Sequence, residues 1–102
     1  MKIVHFIKDN TLCVELDGEL DEYTASYCRS YIDDLLESCA CPHIVLELQK
    51  VSFMDSTGIG VILGRYKKIK SLNRILYIST PNRQVDKLLS LSGIYTIMPK
   101  IS

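Results

Sequence analysis

The stretch Ser52-Phe53-Met54-Asp55-Ser56-Thr57-Gly58-Ile59-Gly60-Val61-Ile62-Leu63-Gly64-Arg65-Tyr66-Lys67 joins an apolar strand end to a helix through a polar turn. Ile59, Ile62, Leu63, Tyr66 and Ile69 recur at spacings of three and four, so a helix with these residues inward is expected to about Ser71. Just upstream, His43-Ile44-Val45-Leu46-Glu47-Leu48 is nearly continuous in apolar residues, the pattern of a central strand covered on both faces. Gln49 to Met54 carries the chain from that strand to the turn. Downstream, Arg74-Ile75-Leu76-Tyr77-Ile78-Ser79 reads as a further strand. Strand, helix and strand in alternation decide for an α/β domain with a mixed sheet.

The flanks extend this pattern. Ile3 to Ile7 is apolar, Lys8-Asp9-Asn10 is a turn, and Leu12, Val14 and Leu16 alternate, so residues 2–8 and 11–17 read as a hairpin. Asp17-Gly18-Glu19-Leu20-Asp21 is expected to break the second strand, with Gly18 supplying backbone freedom at the exit. A first helix is expected from Thr24 to Ser38, its stripe made of Ala25, Cys28, Ile32, Leu35, Leu36 and Cys39, with Pro42 stopping it. Asp33, Asp34 and Glu37 read as its solvated face. Arg65, Lys67, Lys68 and Lys70 complement the dipole at the end of the following helix, which accounts for them without a ligand. Pro81 opens a third helix with Val85, Leu88, Leu89 and Ser92 inward and Gly93 as its C-terminal cap. Ile94 to Met98 is expected to be a final short strand closed by Pro99. The sheet should hold four to five strands with helices packed against it.

A chain of 102 residues with 47% hydrophobic content is one domain with one core. Twelve basic residues balance twelve acidic ones, which argues against direct nucleic-acid binding. No apolar run spans a bilayer, and Met1 to His5 has no export signal, so a soluble cytoplasmic protein is expected. Without an export signal the four cysteines read as thiols, with Cys13 and Cys28 on apolar faces. Cys39-Ala-Cys41-Pro42-His43 is too tightly spaced for a usual structural zinc site, and no metal or other cofactor is expected.

The turn at Asp55 to Gly58 carries the candidate chemistry. Spacing alone favours a plain capping role for Ser56, shared with Asp55 or Thr57. Three consecutive polar side chains exceed what one cap requires, however. Gly58 and Gly60 each weaken a helix interior by about 1 kcal/mol relative to alanine, which points to a backbone or partner approaching closely. A serine at a helix N-terminus also holds a phosphate well, because free amides and the dipole favour an anion. Asp21, leaving a neighbouring strand end, would stand near it. Enzyme motifs fit poorly. A P-loop needs Gly-Lys-Ser/Thr, a nucleophile elbow needs glycine two residues before the serine, and Asp-Thr-Gly protease turns have one residue fewer before the glycine. Neither histidine has a motif pairing it with Ser56, and no catalysis is expected.

The run from Phe53 to Lys67 strongly resembles the anti-sigma factor antagonist family, the bacterial STAS domains. Gly18-Glu19-Leu20-Asp21 resembles that family's earlier signature, and Leu88 to Gly93 the segment after its last common strand. Residues 60–67 look most like the sporulation branch, the stage II sporulation protein AA type, whereas Asp-Ser-Thr-Gly is closer to the general-stress branch. The resemblance implies that Ser56 is phosphorylated by an anti-sigma factor that is also a serine kinase. The unphosphorylated form would bind that kinase and release the sigma factor, and a serine phosphatase would reset it. Asp21, Asp55, Ser56, Thr57, Gly58, Ile59 and Gly60 are the partner-binding residues it implies. Family members usually carry a C-terminal helix after the last strand, and 102 residues leave no room for one here. The alternative role is a STAS module that binds a small ligand or nucleotide, or scaffolds an assembly, without phosphorylation.

Overall fold

The computed structural model describes residues 1–79 and 81–101. Among them, β1 (Lys2–Lys8), β2 (Thr11–Leu20), β3 (His43–Met54) and β4 (Ile75–Ser79) form one sheet in the order β1-β2-β3-β4. β1 and β2 are antiparallel, while β2, β3 and β4 run parallel, so the sheet is mixed as expected. The hairpin turns on Asp9 and Asn10, with φ of 53° and 61°. A two-residue turn of that hand suits the twist of the strands, and Asp and Asn tolerate it better than most residues. The parallel connections run through α1 (Ala25–Ser38) and α2 (Ser56–Ser71); α3 (Arg83–Leu91) follows β4.

Cross-strand register explains the core. Leu12 pairs with Ile44 and Ile44 with Leu76; Val14 pairs with Leu46 and Leu46 with Ile78. These rows face one way and are buried against Ala25, Cys28, Ile32 and Leu36 of α1, Val61, Ile62 and Ile69 of α2, and Val85 and Leu89 of α3. Burial pushes the Cys28 thiol up to about 11, so it behaves as a small core residue. Among the described residues no His, Cys, Asp and Glu side chains group in threes around a metal position, and no helix is long and apolar enough to cross a membrane.

Several expectations need correction. β3 is not covered on both faces: Ile44, Leu46 and Leu48 are buried, but Val45 and Glu47 are only half-buried. The helices share one core and leave the other face of the sheet open. β2 does not break at Asp17. It runs on to Leu20 through register shifts at Glu15/Asp17 and Gly18/Glu19, and Gly18 takes up the irregularity at φ 124°. The expected strand at Ile94 to Met98 is a 3-10 turn, Ile94–Thr96. Gly93 at φ 82° turns the chain out of α3, and Ile94 and Met98 both reach the core at a four-residue, helix-like spacing. Ser92 is exposed rather than inward, and its hydroxyl donates to the Leu89 carbonyl. On α2, Val61 is buried, while Ile59, Leu63 and Tyr66 are half-buried.

The last correction concerns charge. Asp33 is not simply solvated, and the basic end of α2 is not merely a dipole complement. Asp33 Oδ1 lies 3.0 Å from Arg65 Nε and 3.6 Å from Lys68 Nζ, tying α1 to α2. The Arg65 side chain is 11% exposed and Asp33 27%. The contact is an ion pair off hydrogen-bond alignment, for Asp33 Oδ1, Arg65 Nε and Arg65 Nη1 are buried without a hydrogen bond. Removing one partner of a buried pair strands the other charge. The partial exposure of Asp33 and Lys68 softens that effect through solvent screening. Asp33→Ala is expected to lower stability by about 1 kcal/mol in urea denaturation, and Asp34→Ala, on the exposed side, by much less.

Candidate functional site

The end of β2 and the end of β3 lie side by side, with Leu20 paired to Met54. The two loops that leave these strands therefore start together. Asp55, the first residue after β3, is the N-cap of α2: its Oδ1 accepts from the Gly58 amide at 3.0 Å. Its own amide donates to the Leu20 carbonyl at 3.4 Å, which fastens the helix start to the neighbouring strand. Gly58 sits against that same carbonyl. A Cβ placed on it would stand 2.6 Å from the Leu20 oxygen and 2.7 Å from Met54 Cγ. The close approach expected at the glycines is thus real at Gly58. At Gly60 it is absent, since a Cβ there would meet nothing within 4 Å.

With Asp55 as the cap, Ser56 is the first residue of α2 and is exposed. Its hydroxyl has no capping duty. Thr57 and Ile59 are half-buried, Gly58 is buried and Gly60 is exposed. The first amides of a helix have no carbonyl within it to bond, so the backbone at Ser56 and Thr57 presents donors. Dipole and amides together make a local environment that tolerates added negative charge.

Asp21 directly follows Leu20, so it comes to the same end of the sheet. Its Oδ1 accepts from the amides of Tyr23 at 2.9 Å and Thr24 at 3.2 Å. The Asp21 amide donates to Thr24 Oγ1 at 3.1 Å, and Thr24 Oγ1 donates to the Glu19 carbonyl at 2.8 Å. These bonds lock the β2–α1 loop, and Asp21 has a structural task there as well as its half-exposed position. Sequence reading missed Thr24 as the partner in this lock. The signal was available in Asp21-x-x-Thr24 just before an apolar helical stripe, a spacing at which short polar side chains bond back to the backbone. It also passed over Tyr23 and Phe53, two aromatic residues at this end that are largely or half exposed.

Among the described residues the two histidines bond elsewhere than Ser56: His5 shares a hydrogen bond with Tyr31 and His43 with Tyr77. What the geometry offers is an exposed hydroxyl on a helix start capped by Asp55, at the end of the sheet where Asp21 also leaves its strand.

Comparison with known proteins gives one consistent picture. The family model described as the STAS domain matches residues 3–102. The anti-sigma F factor antagonist of Paenibacillus polymyxa is 44% identical over 88 residues, 86% of this chain and 75% of that protein. A crystal structure of a Thermotoga maritima protein superposes with a TM-score of 0.90 at 25% identity, covering 98% of this chain and 86% of the other. The Bacillus cell fate determinant SpoIIAA, solved in a phosphorylated form, has a TM-score of 0.74 at 24% identity, over 99% of this chain and 92% of its own.

Proposed function

The chain belongs to the STAS domain family, and from that premise we propose that it is an anti-sigma factor antagonist switched by phosphorylation at Ser56. The unphosphorylated form binds an anti-sigma factor that is also a serine kinase, and so releases the sigma factor. Phosphorylation by that kinase ends the binding, and a serine phosphatase restores it. The protein is a cytoplasmic regulator, a substrate and a partner rather than an enzyme. The relative at 44% identity favours the sporulation branch, in keeping with residues 60–67.

One observation carries the reading. Asp55 fills the N-cap, which leaves Ser56 exposed on the first turn with no bond to give up. A phosphoryl group there adds about −1.5 to −2 charges at neutral pH, and the helix start accepts them without unfolding. The partner-binding surface comprises Asp21, Asp55, Ser56, Thr57, Gly58, Ile59 and Gly60. Of these, Gly58 contributes by letting α2 sit on the Leu20 carbonyl rather than by exposed contact.

The test is incubation of the chain and its Ser56→Ala variant with ATP and the anti-sigma F factor of Paenibacillus polymyxa, followed by peptide mass spectrometry. One added phosphoryl group on Ser56 is expected for the wild type and none for the variant. An unmodified wild-type chain beside a kinase that modifies its own Paenibacillus antagonist overturns the switch.

A further inference from the structure

We infer that Tyr23 and Phe53 are the apolar anchors by which the anti-sigma factor kinase grips this protein beside Ser56; the inference rests on the function proposed above. Tyr23 is 86% exposed and Phe53 47%. Both are held on backbone that cannot easily move. The Tyr23 amide is bonded to Asp21 Oδ1, within the locked β2–α1 loop, and Phe53 is paired with Glu19 in the β2–β3 ladder. An aromatic ring on a fixed backbone loses little freedom when a partner covers it, which is why such residues dominate interface energetics. Scattered single apolar residues on a surface mean little. These two stand at the same end of the sheet as Ser56, one three residues before it and the other two residues after Asp21.

Phe53 also forms a wall of a groove of about 180 Å³, completed by Met54, Gln84, Val85 and Leu88. A cavity of about 150 Å³ accommodates a benzene ring, so this groove admits one large apolar side chain from a partner. The kinase is the occupant to which the site commits, because the groove is continuous in the chain with the residue the kinase must reach: Met54 lines it, and Ser56 lies two positions further on. The anchors also supply a cause for release. A phosphoryl dianion on Ser56, next to Asp55 and at the strand end that Asp21 leaves, adds like charge to the contact that the rings make. Like charges juxtaposed at an interface are strongly unfavourable.

The experiment is calorimetric titration of the Paenibacillus polymyxa anti-sigma F factor, with nucleotide present, into wild type, Tyr23→Ala, Phe53→Ala and Leu72→Ala. Leu72 is 44% exposed at the other end of α2 and serves as the matched apolar control. Thermal melting checks that each variant is folded; Tyr23, being almost free of packing, keeps the test open if Phe53→Ala melts early. Tyr23→Ala and Phe53→Ala should each weaken binding tenfold or more, with Leu72→Ala within twofold of wild type. If wild type binds and a folded Tyr23 or Phe53 variant loses less than tenfold, or the control loses as much, the anchors are overturned while the antagonist role stands. If wild type does not bind, the antagonist role fails and the anchors with it.

Discussion

Gly58→Ala should lower the stability of this protein by about 2 kcal/mol, and Gly60→Ala, two residues along the same helix, should raise it by about 0.5–1 kcal/mol. The opposite signs come from one structural fact. Alanine is the better helix former by about 1 kcal/mol at either position. At Gly60 nothing stands within 4 Å of the new Cβ, so that gain is kept. At Gly58 the Cβ would lie 2.6 Å from the Leu20 carbonyl oxygen. That oxygen belongs to a ladder strand and accepts from the Asp55 amide, so it cannot swing aside as a flexible side chain would. Helix α2 must lift from the end of β2, which strains both the Asp55 cap and the Asp55–Leu20 bond. Urea denaturation of the two variants beside wild type measures both shifts. Equal stabilisation by the two alanines would mean that α2 is not seated on Leu20. Gly58→Ala should also move Ser56 relative to Asp21, so its binding to an anti-sigma factor should weaken further than its stability loss alone requires.

How much of this was readable in the chain follows from how local each determinant is. The hairpin at Asp9-Asn10, the helices and the strand order of types were legible because turn chemistry and hydrophobic period act within a few residues. Asp55 as the cap was one of three neighbouring choices, and only the bond to Gly58 selects it. Gly18 reads as a breaker because glycine weakens strands. Its neighbour β3 nevertheless holds β2 in register through a bulge, a fact about the partner strand that no local signal contains. Ile94 to Met98 is apolar enough for a strand, yet its two buried residues sit four apart, and that count was the available clue. Asp33 illustrates the general limit. A carboxylate late in a helix looks solvated until another helix brings Arg65 to it from 32 positions away in the chain.

The site divides in the same way. The glycines after Ser56 were read as a sign of close approach, and the structure assigns that role to Gly58 while leaving Gly60 in open space. The nearness of Asp21 to Asp55 followed from treating the two loops as exits from adjacent strands, and the Leu20–Met54 pairing bears it out. Tyr23 and Phe53 were passed over because exposure is a tertiary property. An aromatic residue in sequence is presumed to be core until the fold shows which side of the chain it faces.

Ser56→Asp should leave the fold intact, with stability unchanged or higher by about 0.3–1 kcal/mol, yet weaken binding to the anti-sigma factor by about a hundredfold or more. The stability arm follows from position: an acidic side chain in the first turn of α2 lies with the helix dipole, and Ser56 makes no bond whose loss offsets this. The binding arm follows from neighbours. Asp55 precedes the substitution and Asp21 leaves the adjoining strand end, so a third carboxylate raises like charge at one spot. Juxtaposed like charges at an interface cost several kcal/mol, and each 1.4 kcal/mol is tenfold in affinity. Ser56→Ala separates charge from the mere loss of a hydroxyl. It should bind about as well as wild type and accept no phosphate, since Asp55 and not Ser56 holds the helix start. Melting and titration of the two variants in parallel decide the matter. Equal affinity of Ser56→Asp and wild type would remove the electrostatic switch. A loss of stability in Ser56→Ala would show instead that the hydroxyl helps to build the turn.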